Sequence, residues 1–218
     1  MLAAILKIAH YERTKEWRSK HLAGALMLYS ASSIFVAYLA FKQVLHPPTW
    51  NALFWIIQLF AAMNTISRAF LAESPGSQLF LYTLMDPRHL LLGKMLYGFW
   101  VMLLTSCLNL LLFSILIGNV VDNHLLFFLV MILGSAGFSA ILTLVSAIAV
   151  KAGGNTGLAA ILGFPLLLPH LILIIKLSKN AVDGIDWAFS NVWLLVSALL
   201  SALVVILGMA LFPYLWRA

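Results

Sequence analysis

The side chains that could do chemistry in this sequence are few and scattered. Seven carboxylates, six histidines and one cysteine are spread over 218 residues. All seven acidic residues fall outside the apolar runs, so the buried carboxylates expected of many proton-coupled carriers are missing. No G-x-S-x-G elbow and no H-E-x-x-H helix occurs. Cys107 stands alone within an apolar run, which excludes a disulfide framework and a cysteine-based zinc site. His170 and His124, toward the outer ends of apolar runs, are the candidate ligands for a haem or metal. The plainer role for such a histidine is a hydrogen bond to a backbone carbonyl. The turn Lys151-Ala-Gly-Gly-Asn155 is rich in glycine but lacks the G-x-x-x-x-G-K-[ST] spacing that cradles nucleotide phosphates. Where ATP matters to this chain, another polypeptide must bind it. The chemistry points to a non-catalytic protein.

The stretch best organised for an interaction runs from Ser67 to Lys94. Ser74-Pro75 places a capping hydroxyl before a proline at a first helical position, and Asp86-Pro87 repeats the device with a carboxylate. The spacing predicts a short helix over 75–84 and a fresh helix start at Asp86. That short helix carries Leu79, Phe80, Tyr82, Leu84 and Met85 and almost no charge. It can lie on a membrane, or it can be a knob pressed into a soluble partner.

The elements that must hold this stretch are membrane helices. The chain is 63% hydrophobic and 9% charged, with a mean hydropathy of +1.03; a soluble domain carries about 25% charged residues. Six apolar runs approach the ~20 residues needed to span a bilayer: 22–41, 50–70, 91–117, 125–150, 156–175 and 192–212. Backbone groups in lipid must be satisfied within their own segment, so the spans are helical. Residues 1–21 form a basic amphipathic lead, with Leu2, Ile5, Ile8 and Ala9 on one face and Glu16 spaced to pair with Lys20. It reads as an interfacial helix on an anionic leaflet, not as a signal peptide. The connections include a loop over 71–94 and the longest outer loop, 176–191.

Polar residues recur inside the spans at helical spacing. Gln58, Ala61, Ala62 and Thr65 share one side of the second; Thr105 and Asn109 pair in the third; Ser135, Ser139, Thr143 and Ser146 run down the fourth. Ser197 with Ser201 and Ala198 with Ala202 do the same in the sixth. Such faces let helices pack closely. Pro165 and Pro169 break the fifth span and are hinge candidates. Lys and Arg number ten in the lead, the second and fourth loops and the tail, against three in the other loops. That imbalance places both termini and the capped stretch in the cytoplasm. It also accounts for the net charge of +6 without a nucleic acid.

Several pieces stand in a familiar order. They are Tyr29 to Phe41 after the charged lead; Arg68-Ala-Phe70, Glu73, Gly76, Leu84, Pro87 and Gly93-Lys94; then Gly153-Gly154, Gly163-Phe-Pro165 and Pro169. The ordered set resembles the permease subunits of ABC-2-type exporters and, more narrowly, the haem exporter protein B (CcmB) family of cytochrome c maturation. The resemblance implies an all-α, polytopic fold of about six transmembrane helices with an N-terminal interfacial helix (1–21) and a cytoplasmic coupling helix in the membrane domain 22–218. It implies that the segment holding Glu73, Ser74, Pro75, Gly76, Gln78, Leu79, Phe80, Tyr82, Leu84 and Met85 docks in a groove of an ATPase subunit, CcmA. It implies CcmC, CcmD and the haem chaperone CcmE as partners, a homodimer in the complex, and a multi-pass location in the bacterial inner membrane. Haem would be a transported or transferred species. The tryptophan-rich segment associated with CcmC is absent, since the seven tryptophans are scattered. That favours a mechanical role over direct haem binding. The other readings are an ABC-2 permease exporting a lipid or drug, and a haem-binding membrane protein using His170 or His124.

Overall fold

The computed structural model describes the chain except residues 1, 20, 42–45, 72–84, 154–155, 186 and 218. The described residues form seven α-helices and a 3-10 turn, with no strand among them. The helices are α1 (Leu2–Ser19), α2 (His21–Phe41), α3 (Pro47–Thr65), α4 (Pro87–Leu116), α5 (His124–Lys151), α6 (Thr156–Val182) and α7 (Trp187–Arg217). The turn, Ile66–Arg68, continues α3.

Five of these helices are long and apolar enough to cross a membrane: α2, α4, α5, α6 and α7. The expected second span, α3, falls short of that hydropathy, and its packing explains why. Ten of its nineteen residues are buried, among them Asn51, Gln58 and Thr65. At about 1.5 Å per residue α3 still has nearly the length of a ~30 Å hydrocarbon core. It is a bundle-facing helix, whose polar groups meet protein instead of lipid. The chain is thus an all-α polytopic membrane protein.

α5 is the axis of the bundle and packs against α4, α6 and α7. Its small polar row is buried: Ser139 donates to Met95 O at 2.6 Å, and Ser146 Oγ accepts from Phe70 N at 3.0 Å. Ser197 and Ser201 of α7 also face inward, whereas Ala198 and Ala202 are exposed. At one end of the bundle an aromatic cluster forms around Trp50. Its ring stacks on Phe54 and meets Phe113 and Phe127 edge-on, and its Nε1 donates to Gly118 O at 3.2 Å. At the other end Ile8, Phe70, Leu91, Met95, Leu144 and Phe212 share a second cluster. The N-terminal helix and the last turns of α7 therefore lie at the same end.

One boundary differs from the sequence expectation. The stretch 176–191 is not one loop: α6 runs on to Val182 and α7 begins at Trp187. Lys176 and Lys179 do not stop the helix, because Leu177, Ser178, Ala181 and Val182 keep one face buried, while the Lys176 ammonium sits 3.4 Å from the centroid of the Trp193 ring. Within the stretch 71–94 the helix start expected at Asp86 is formed: α4 begins at Pro87, and the Asp86 side chain caps the Arg88 N–H at 2.8 Å.

Candidate functional site

The polar groups of α3 build a seam through the middle of the bundle. Asn51 donates to Ile175 O at 3.0 Å, and Trp55 Nε1 donates to Ser178 Oγ at 2.7 Å, which ties α3 to α6. Gln58 Nε2 donates to Met102 O at 3.0 Å, and Asn109 Nδ2 donates to Gln58 Oε1 at 2.8 Å, which ties α3 to α4. Ser106 Oγ donates to Met102 O at 2.9 Å and lies 3.5 Å from Ser135 Oγ. In a low-dielectric interior these bonds hold the inner helix in one register, since each alternative leaves a polar group unmade. The predicted polar faces of the second, third and fourth spans thus meet one another.

His170 is placed differently from its sequence reading. Because α6 extends to Val182, the residue lies mid-helix instead of near an outer end. Its ring is fully buried against α5, edge-on to Phe138 at 5.9 Å between centroids. The ring faces the backbone of Leu133 and Gly134 in α5, as the expected carbonyl contact requires, though neither ring nitrogen meets a carbonyl in strict hydrogen-bond geometry. The ring fits only because Gly137 has no side chain: a Cβ there would lie 2.0 Å from His170 Nε2. His124 is at the start of α5, exposed, with Nε2 2.8 Å from Asn119 Nδ2. The two histidines are not brought together. Among the described residues no group of three or more His, Cys, Asp or Glu could hold a metal ion.

Pro165 and Pro169 lie inside a continuous α6, so they do not break the span. Of the predicted docking segment, 73–84 lies outside the described residues; Met85, its last member, is exposed. The residues that lead up to it are described. Ser67 Oγ donates to Met63 O, Phe70 stacks obliquely on Phe212, and Phe212 on Trp216. Beside the turn, Phe60, Asn64, Arg68 and Phe164 line a cleft of about 250 Å³ between α3 and α6.

One charged group was missed as a site residue. Lys94 reads in the sequence as a loop charge opening the third span. It is buried in α4, with Nζ 2.6 Å from Glu12 Oε1 of α1 and donating to Ala69 O at 2.8 Å. One turn on, Tyr97 OH donates to the Glu16 carboxylate. Glu16 thus faces α4; Lys20, its expected partner, lies outside the described residues. Burial is the main cause that pushes the Glu16 carboxyl above its ordinary value, against the pull of the Tyr97 hydrogen bond. The one available signal was the adjacency of Gly93 to Lys94, a small residue next to a long cation in an apolar run.

Long apolar helices packed around a polar inner span define a polytopic membrane protein. Among curated proteins no match to the chain was found. A family model for the CcmB protein matches residues 48–214, well over half of the chain. The chain belongs to the CcmB family, and is a membrane component of the haem export and cytochrome c maturation system.

Proposed function

We infer that this chain is the subunit through which a separate ATPase, CcmA, drives release of haem-loaded CcmE, with CcmC and CcmD in the same complex and a second copy of this chain completing the membrane unit. Its family membership carries the reading. The bundle supports it mechanically. α3 is bonded to α4 and α6 at several points and passes without a break through the 66–68 turn toward the docking segment. Movement of that segment by an ATPase would therefore shift α3 and, with it, both neighbours. In this reading Glu73 to Met85 and both termini face the cytoplasm, in agreement with the ten-to-three distribution of Lys and Arg, and the membrane is the bacterial inner membrane. The catalytic chemistry belongs to the partner. Pro165 and Pro169 give α6 the compliance to follow α3.

Haem in this reading is the transferred species. We assign neither histidine to it. Ligation by His170 would require α5 and α6 to part at Gly137, and the His124 imidazole is already engaged by Asn119. The test is replacement of 75–84 by a flexible Gly/Ser linker of equal length. The expected result is loss of cytochrome c formation while the chain still inserts and ATP hydrolysis persists. Normal cytochrome c yield from that variant would refute the coupling role.

A further inference from the structure

We propose that Lys94 is a positioning residue that clasps the N-terminal helix and the root of the 69–85 segment together on α4. The inference rests on the coupling reading of that segment. Two elements converge on the ammonium group that α4 carries. Glu12 of α1 supplies a carboxylate at 2.6 Å, Ala69, just beyond the 3-10 turn, supplies its carbonyl at 2.8 Å, and the Phe70 ring lies 4.9 Å away. Both charged side chains are nearly sealed from solvent, at 2% exposure for Lys94 and 9% for Glu12.

A lysine is costly to bury and does not occupy such a site by default. The cost is offset here by contacts from two elements, the carboxylate from α1 and the carbonyl and ring from residues 69–70, so the ammonium keeps these contacts while both elements are in place on α4. The neighbouring residue makes the geometry possible. A Cβ on Gly93 would lie 2.5 Å from Ile8 Cγ2, so the glycine lets α1 close onto α4 and brings Glu12 within reach. Tyr97 holding Glu16 extends the same contact by a turn. Phe70 is held from its far side as well, its N–H bonded to Ser146 Oγ of α5 and its ring against Phe212. The root of the segment is thus fixed between the lysine clasp and the α5–α7 pair. A push on the segment must be transmitted to α1, and a shift of α1 must be felt by the segment.

The geometry separates the two arms of the clasp. Glu12→Gln weakens the α1 arm and leaves the Lys94–Ala69 bond; Lys94→Met removes both; Lys94→Arg keeps a cation and its donors. The full chain, purified in detergent, is digested with trypsin and cleavage is quantified site by site. Arg13 and Lys15 report α1, Arg68 and Arg88 report the segment, and Lys176 and Lys179 at the other end of the bundle report global unfolding. Glu12→Gln is expected to raise cleavage at Arg13 and Lys15 alone. Lys94→Met should raise all four by roughly tenfold or more, because a broken buried pair leaves its other charge uncompensated. Lys94→Arg should return them most of the way, with Lys176 and Lys179 unchanged throughout. Identical patterns for Glu12→Gln and Lys94→Met would overturn the three-way clasp, and so would wild-type protection of Arg68 and Arg88 in Lys94→Met. If the expected pattern appears and cytochrome c yield in Lys94→Met cells stays normal, the clasp stands and the coupling role of the segment falls.

Discussion

Asn109 Nδ2 donates a 2.8 Å hydrogen bond to Gln58 Oε1, and both side chains are fully buried between α3 and α4. The bond leaves Asn109 Oδ1 without a partner, so the pair is asymmetric: Gln58 is satisfied by Asn109 and Met102, while Asn109 depends on Gln58 alone.

That asymmetry makes the order of replacement matter. Gln58→Leu strands both polar atoms of Asn109 and should destabilise the bundle by about 1–3 kcal/mol. Asn109→Leu strands only one oxygen of Gln58 and should cost less. The double variant Gln58→Leu/Asn109→Leu should recover part of the larger loss. Unfolding in mixed micelles, read by the intrinsic tryptophans, gives the three values. A double variant equal to the sum of the singles would show that the pair does not couple.

Gly137 and His170 make a second close pair. A Cβ at 137 cannot coexist with Nε2 at 2.0 Å, so Gly137→Ala should force α5 and α6 apart at a cost of about 1–3 kcal/mol. His170→Ala removes the obstacle, and the two changes together should cost well under their sum. A melting temperature for each variant in detergent measures this, and additivity would count against the packing.

The pH response of α1 follows from Glu16. Burial is the first cause of its raised carboxyl value; the Tyr97 hydrogen bond opposes it, Glu12 adds to it, and Lys94 and Lys15 oppose it more weakly. An acid raised in the docked state favours docking on the acid side. The contribution is complete below the ordinary glutamate value of 4.5 and fades as pH rises through the docked value. An environment-sensitive probe on Thr14→Cys, in a Cys107→Ser background, should therefore report tighter docking as pH falls toward 4.5. Glu16→Gln should flatten that part of the profile and tighten α1 at pH 7.

Restoring the missing donors of α6 tests its compliance. Pro165→Ala with Pro169→Ala returns two backbone N–H groups to a helix that is already continuous. Stability should stay equal or rise while cytochrome c formation falls. Unchanged yield at unchanged stability would make the prolines packing residues and nothing more.

Much of this fold could be read from the sequence because membrane helices announce themselves by length and hydropathy. The inward polar faces followed from Gln58, Thr105, Asn109 and Ser139, since lipid has no use for them, and Asp86 capped its helix as expected. The clasp was harder to see. Glu12 and Lys94 are 82 residues apart, and a single sequence ranks both as solvated charges near a span; only the packing of α1 on α4 removes them from water. His170 was misplaced for a related reason. The apolar run ends at Lys176, but the helix does not, because its last two turns are amphipathic. The predicted docking segment rests on its sequence signals, the Ser74-Pro75 pair and the apolar set, because 72–84 lie outside the described residues.

The order of synthesis sets a problem that α3 must solve. Its own hydropathy falls below that of the other spans, and its partners are made later: Met102 and Asn109 on α4, then Ile175 and Ser178 on α6. Until they follow, Asn51, Trp55 and Gln58 of a nascent α3 lack the partners they have in the fold. Those partners are complete only when α6 has been made, more than a hundred residues later, so the fold favours entry of α3 together with α4 and α6 over independent insertion of each helix.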